Sequence, residues 1–234
     1  MGKLSSDMSL PITKTCAGLV VLPVEHRLIQ RKSLPEPSMH RIGKSACDQC
    51  SYCTEFCPRY LLGYDVQPHK VMRSLSFTAT GEDVWNQWAQ LCCSCGLCTL
   101  YACPEDLYPK EACDKSKADL KSKGMKWDGN REVKPHPIYD GRHVPLKHLV
   151  GKLGVKEYDV PAHYREKKFS PKKVHIPLSQ HIGAAAIPIV KLKSEVKAGD
   201  VIGEIPEGKL GSRVHASIGG VVTAITDEIV IEQK

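Results

Sequence analysis

Aromatic residues are scarce in this chain: three Phe and three Trp among 234 residues exclude one large aromatic core. They point instead to several small modules, some held together by something other than apolar burial. Long apolar runs are missing too. AGLVVLPV is broken by a proline, and IGAAAIPIV falls far short of the about 18 to 20 residues that cross a bilayer. The N-terminal stretch MGKLSSDMSLPITKTCAGLVVLPVEH lacks the order of basic, apolar and small residues that marks a secretory leader. A reducing, cytoplasmic setting is therefore expected, with no transmembrane segment. In such a compartment dense cysteines read as metal or redox chemistry rather than disulfides. No dinucleotide fingerprint and no phosphate-binding glycine loop occurs.

Acidic residues are outnumbered, and the formal charge of +7 gathers in Lys110–Lys134 and Arg165–Lys173. No aromatics interleave with these clusters as a base-stacking platform requires, so nucleic acid is not an expected partner. They read as a solvated surface, with a docking face for an acidic redox partner as the functional alternative.

What the chain does have is cysteine. The first run is Cys47-x2-Cys50-x2-Cys53-x3-Cys57-Pro58, the bacterial ferredoxin spacing for a 4Fe-4S cluster. Two intervening residues let a loop turn so that successive sulfurs face one cuboidal cluster, and the closing proline brings no competing N–H. The second run is Cys92-x2-Cys95-x2-Cys98-x4-Cys103-Pro104, one residue longer before its last cysteine. In two-cluster ferredoxins the fourth cysteine of each run ligates the other cluster. The expected sets are therefore Cys47, Cys50, Cys53 and Cys103 for one cluster, and Cys92, Cys95, Cys98 and Cys57 for the other. A pair of zinc ribbons is the structural alternative, but zinc sites use paired C-x2-C hooks without a regular third cysteine. No histidine lies inside the cysteine loops, leaving a Rieske-type site unsupported. Cys16, Cys93 and Cys113 read as ordinary thiols.

The fold class expected is α+β and multidomain: an α-helical two-cluster ferredoxin-like domain followed by a small all-β barrel-sandwich hybrid module. Residues 1–40 read as an N-terminal segment with a short strand, GLVVLP, and a proline-rich linker, RKSLPEPSMHR. Residues 41–123 form the cluster domain. Within it HKVMRSLSF and EDVWNQWAQL space apolar residues as short helices, and PKEACDKSKADLKSK starts a helix at Pro109 that runs to Gly124. Residues 124–173 are a connector with one helix in PLKHLVGKLG. Residues 174–234 form the β module, with strands in VHIPLS, IPIVKL, DVIGEI, GGVVTAI and EIVIEQ. Val196–Ile225 resembles lipoyl and biotinyl carrier domains. Lys209 falls where a carrier displays its modified lysine, but Gly208 and Leu210 replace the flanking residues such a site uses, so Lys209 reads as a surface lysine.

HIPLSQHIGAAAIPIVKLKSEVKAGDVIGE with VHASIGGVV resembles the module of the RnfC family of electron-transport proteins. With the cysteine runs placed first, and with TKTCAGLVVLPVEHRLI, RIGKSACDQCSYCTEFCPRYLLG and HKVMRSL, nearly the whole chain resembles the cobalamin reductases of propanediol-utilisation microcompartments. The resemblance implies electron flow from NADH through a flavin and two 4Fe-4S clusters to cob(II)alamin, reactivating the corrinoid of a diol dehydratase. In that family a flavin- and NADH-binding region precedes the segment matched here. FMN and NADH are thus expected only through a missing region or a partner flavoprotein chain, and the chain itself is an oxidoreductase component without a catalytic acid, base or nucleophile. Implied partners are a corrinoid-handling enzyme such as a cobalamin adenosyltransferase, or a ferredoxin or flavodoxin, in the cytoplasm or the lumen of a microcompartment. The alternatives are a component of an Rnf-like ferredoxin:NAD oxidoreductase and a non-enzymatic scaffold stabilised by its clusters.

Overall fold

The computed structural model describes residues 4–75, 83–127, 129, 132–161, 163–164, 166 and 169–233, with backbone alone at 83–86. The chain divides into two compact units, one built on Leu22–Pro161 and one joining Ser5–Val21 to Ala162–Lys234.

The first unit is helical. Its elements are α1 (Arg27–Ser33), α2 (Glu36–Ala46), α3 (Tyr52–Glu55), α4 (Pro58–Leu61), α5 (Pro68–Ser74), a 3-10 helix (Asp83–Leu91), a π-helical turn (Cys98–Ala102), α6 (Pro109–Ser122), α7 (Leu146–Leu153) and a 3-10 turn (Lys156–Tyr158). Prolines start several of them. Pro58, Pro68 and Pro109 each open a helix at a position whose N–H has no intrahelical partner, so the missing donor costs nothing there. The same rule corrects the reading of RKSLPEPSMHR as linker: Pro35 and Pro37 sit at the start of α2, so the prolines initiate a helix there. DVWNQWAQL, Asp83–Leu91, winds as a 3-10 helix. The part of HKVMRSLSF beyond Leu75, and Glu82, lie outside the described residues.

Cysteine belongs to this unit's interior. Cys57, Cys103 and Cys113 pack with Val66, Val71, Met72, Trp88, Leu107 and Leu120, and Cys47 and Cys92 lie against them. Residues beyond α6 return onto α4: the His136 N–H donates to the Leu61 carbonyl at 2.8 Å, and the Tyr60 hydroxyl meets His136 Nε2 at 3.1 Å. Gly63 makes this approach possible. Its φ is +95°, and a Cβ there would stand 2.0 Å from the Lys134 carbonyl oxygen. Gly63→Ala is expected to cost about 3 kcal/mol or more, from left-handed strain plus a backbone clash; a denaturant midpoint unchanged from the parent would contradict it.

The second unit carries two antiparallel sheets, in the orders β1-β7-β6-β3 and β2-β4-β5. The strands are β1 (Lys173–Pro177), β2 (Ile187–Pro188), β3 (Glu195–Val196), β4 (Val201–Glu204), β5 (Val214–His215), β6 (Gly220–Ile225) and β7 (Glu228–Glu232). Alternation supplies the core: Ile229 and Ile231 of β7, Val222 of β6 and Ile202 of β4 are all fully buried. Among the described residues the sheets do not join into one closed barrel. Residues 5–21 lie in this unit, where the Lys14 N–H donates to Gln180 Oε1 at 3.1 Å. GLVVLP forms no strand: its Leu19, Val20 and Val21 are exposed and no sheet edge pairs with it.

Candidate iron–sulfur centres

The two cysteine runs fold as copies of one loop. Gln49 and Ser51 take left-handed φ values of 62° and 69°, and Ser94 and Gly96, at matching places in the second run, take 54° and 83°. These left-handed residues on either side of the second cysteine reverse the chain twice within a few residues. Successive sulfurs then turn to the same side. Backbone N–H groups turn with them: Ser94 N–H points at Cys92 Sγ at 3.4 Å and Leu107 N–H at Cys103 Sγ at 3.3 Å. Those of Arg59 and Tyr60 point at Cys57.

The longer second run ends differently. Where the first closes with Cys57 N–H donating to the Thr54 carbonyl, the second closes with Cys103 N–H donating to the Cys98 carbonyl at 3.2 Å, five residues back. A π-helical turn takes up the extra residue between Cys98 and Cys103.

Thiols of the two runs gather close together in this unit, members of both expected sets among them. Cys47, Cys50, Cys53 and Cys103 line one cavity, together with Gln49, His69, Met72 and Leu107. Burial pushes the Cys53 thiol up to about 12, with Cys103, Cys50 and Cys47 adding repulsion. Burial likewise pushes Cys57 up to about 11, and the neighbours that add to it are Cys92 and Cys95, from the other run. Cys98, also raised by burial, feels Cys53, Cys92, Cys57 and Cys95. Each set has the thiol donors and inward N–H groups that a 4Fe-4S cluster requires, since thiolates crowded this way need a bound cation to stay ionised. Among the described residues no three His, Cys, Asp or Glu side chains converge closely enough to hold a single metal ion.

Helices α5 and α6 hold the loops by equivalent contacts. Thr54 follows Cys53, and its hydroxyl receives the backbone N–H of His69 in the first turn of α5 at 3.3 Å. Thr99 follows Cys98, and its hydroxyl receives the N–H of Lys110 in the first turn of α6 at 2.9 Å. On the second loop, Ser94 Oγ donates to Asp114 at 2.6 Å and Lys117 Nζ donates to the Cys92 carbonyl at 2.9 Å. Lys110 pairs with Asp114 at 2.7 Å. Part of the basic cluster is thus internal wiring of α6, while Arg165, Lys167 and Lys168 lie outside the described residues.

Two participants escaped the sequence reading. Cys113, read from the sequence as an ordinary thiol, is fully buried in α6, and its thiol hydrogen-bonds Cys92, pulling Cys92 down to about 6 and pushing Cys113 up. Its spacing from the cysteine run carries no hint of this; only the return of α6 brings it there. Arg31 of α1 donates to the carbonyls of Asp106 at 2.6 Å, Thr99 at 3.1 Å and Leu107 at 3.2 Å, and stacks over Tyr108. It fixes the loop that carries Cys103. Cys16 and Cys93 are exposed, and Lys209 sits on an exposed turn after β4.

Comparison with known proteins agrees with this division. A 4Fe-4S dicluster domain matches residues 46–108, and an RnfC barrel sandwich hybrid domain matches residues 161–234. The chain is 34% identical over 230 residues to cobalamin reductase PduS of Salmonella typhimurium, covering 98% of this chain and 51% of that protein. The chain thus carries both a dicluster match and an RnfC match, in that order. It is also 34% identical over 228 residues to cobalamin reductase PduS of Citrobacter freundii, covering 97% of this chain and 50% of that protein. It is 42% identical over 69 residues to a component of the Na(+)-translocating ferredoxin:NAD(+) oxidoreductase complex of Acetobacterium woodii, covering 30% and 15% of the two chains. The chain spans about half the length of the PduS proteins it matches. The first of the two domain matches is to a domain that holds two 4Fe-4S clusters, which supports iron–sulfur electron transfer. No described helix is long and apolar enough to cross a membrane.

Proposed function

We propose that the chain is the cluster-bearing relay of a cobalamin reductase, passing single electrons toward cob(II)alamin. The observation that supports the assignment is the shared cavity of Cys47, Cys50, Cys53 and Cys103, in a chain of which 98% aligns with about half of PduS. In this reading Cys47, Cys50, Cys53 and Cys103 hold one cluster, and Cys92, Cys95, Cys98 and Cys57 hold the other. Bound there, the clusters supply reversible one-electron redox chemistry. The protein's own part is to set spacing, exclude water and aim N–H groups at sulfur. Burial of Cys53, Cys57, Cys98 and Cys103 keeps those ligands dry, while the exposed Cys50 marks the side where electrons meet solvent or a partner.

NADH and a flavin would enter through another region or a flavoprotein chain. The acceptor would be a corrinoid-handling enzyme, in the cytoplasm or a microcompartment lumen. The stretch of higher identity to the Acetobacterium woodii protein favours a second reading, a relay within an Rnf-like ferredoxin:NAD oxidoreductase. Anaerobic reconstitution should give about eight irons per chain and the EPR spectrum of reduced 4Fe-4S clusters. Tightly bound zinc with no iron would sink both readings. Reduction of cob(II)alamin when an NADH-oxidising flavoprotein is added, against reduction of ferredoxin alone, separates them.

A further inference from the structure

The two cysteine loops copy each other in backbone but differ in the side chain two residues after the first cysteine. Gln49 follows Cys47 and Ser94 follows Cys92, both at left-handed φ, 62° and 54°. Neither is glycine, the residue that takes this conformation at least cost. Their side chains go to different partners. Gln49 Nε2 donates to Cys47 Sγ at 3.1 Å. Ser94 Oγ donates instead to Asp114 of α6 at 2.6 Å, and its backbone N–H alone points at Cys92 Sγ, at 3.4 Å. A hydroxyl has one proton, so Ser94 keeps no side-chain donor for sulfur.

The packing helices account for the difference. Pro68 and Pro109 open α5 and α6 at equivalent places, and counting from them Asp114 of α6 corresponds to Arg73 of α5. A guanidinium has no acceptor, so that position of α5 offers nothing to draw a donor away from the first loop. Gln49 is half-buried and lines the same cavity as Cys47, Cys50, Cys53 and Cys103. The direction of its bond is fixed by chemistry, because a thiolate only accepts and the amide donates only through nitrogen. On the second loop the nearby cation, Lys117, gives its proton to the Cys92 carbonyl.

We propose that Gln49 is a positioning residue that raises the reduction potential of the first cluster through its amide hydrogen bond to the Cys47 sulfur, whereas Ser94, committed to Asp114, gives the second cluster no such side-chain bond. The proposal rests on the reading of Cys47 as a ligand of the first cluster, and it holds whether Cys103 or Cys57 closes that cluster. Reduction brings one electron from the flavoprotein side of the relay onto the cluster and makes or breaks no bond. The added negative charge spreads onto the thiolates, so a donor aimed at a ligand sulfur stabilises the reduced form more than the oxidised form. Gln49 holds no iron and acts through Cys47.

EPR-monitored redox titration of the whole reconstituted chain tests it, with the first cluster's signal assigned through Cys53→Ser. Gln49→Met, close in size but without a donor, should weaken reduction of the first cluster by about tenfold, the size of one charged hydrogen bond, which is a fall of about 59 mV for one electron. The second cluster should stay where it is. Gln49→Gly should give the same fall although glycine suits the left-handed backbone better than glutamine, which separates the lost bond from a distorted loop. Gln49→Glu, with a carboxylate in place of the amide, should lower the potential further. Ser94→Ala, the deletion at the equivalent place, should leave the second cluster's potential unmoved. If Gln49→Met fails to load the first cluster, Gln49→Gly carries the test; if neither loads it, Gln49 serves to build the site and the inference is overturned. A parent with two clusters in which neither Gln49→Met nor Gln49→Gly moves the first potential overturns the inference and leaves the relay standing. Equal falls at both clusters in Gln49→Met, or a fall of the same size at the second cluster in Ser94→Ala, also overturn it, since these side chains would then act through packing alone. A parent that binds no iron overturns the relay and the inference together.

Discussion

Cys57→Ser should strip iron from the cluster held by Cys92, Cys95 and Cys98 and spare the one nearer its own run. Iron is expected to drop from about eight to about four per chain, with one EPR signal lost and the other unchanged in potential. The reason is geometric. Cys57 closes the first run at the N-terminus of α4, yet the sulfurs that press on it are Cys92 and Cys95, while those pressing on Cys53 include Cys103. Serine keeps the size and hydrogen bonding of the side chain but is a far poorer iron ligand. If the surviving signal instead belonged to Cys92, Cys95 and Cys98, each run would be closed on itself and the crossed assignment would be wrong.

Removing iron from the parent chain should cost more still. The interior of the first unit is partly made of cysteine sulfurs, with the proposed ligands Cys57 and Cys103 packed among Val66, Met72 and Leu107. A chelator under reducing conditions should therefore abolish this unit's cooperative melting transition, a loss on the order of the 5 to 15 kcal/mol that holds a domain. The second unit has an aliphatic core of its own around Ile202, Val222, Ile229 and Ile231, and its transition should persist. Any structure left without iron should be alkali-sensitive. Folding raises Cys53 to about 12 and Cys57 to about 11 from an ordinary value of 9.0, by burial first. Below pH 9 the thiols are neutral in both states and that contribution is fully present. It is lost as pH rises from about 9 toward 12, where the unfolded chain sheds protons that the folded one retains. Calorimetry with and without chelator, repeated across that range, reads both effects; a first transition indifferent to iron would refute them.

Much of this was legible because the chemistry is local. Cysteine spacing is set by how far a loop turns between ligands, and it is what singles out the eight thiols proposed as cluster ligands. Pro109 announced α6, and β-branched runs announced β1, β4, β6 and β7. What escaped depends on chain return. Cys113 and Arg31 reach the centres only because α6 and α1 fold back on the loops. β3 and β5 are two residues each, too short for any periodicity. GLVVLP has a strand's composition but no neighbour to pair with, and pairing, not composition, makes a strand. Prolines that read as linker proved to be helix starts, because the same missing N–H suits both settings.

The proposed crossing of Cys57 and Cys103 would also bear on how the protein is made. A ribosome releases the chain from its N-terminus, and 45 residues lie between Cys57 and Cys103, so the first run waits, three-quarters furnished, until the last ligand has emerged. The second centre closes onto a cysteine made long before, as soon as Cys98 is out. On these proposed ligand sets both centres load late, the second once Cys98 has emerged and the first once Cys103 has.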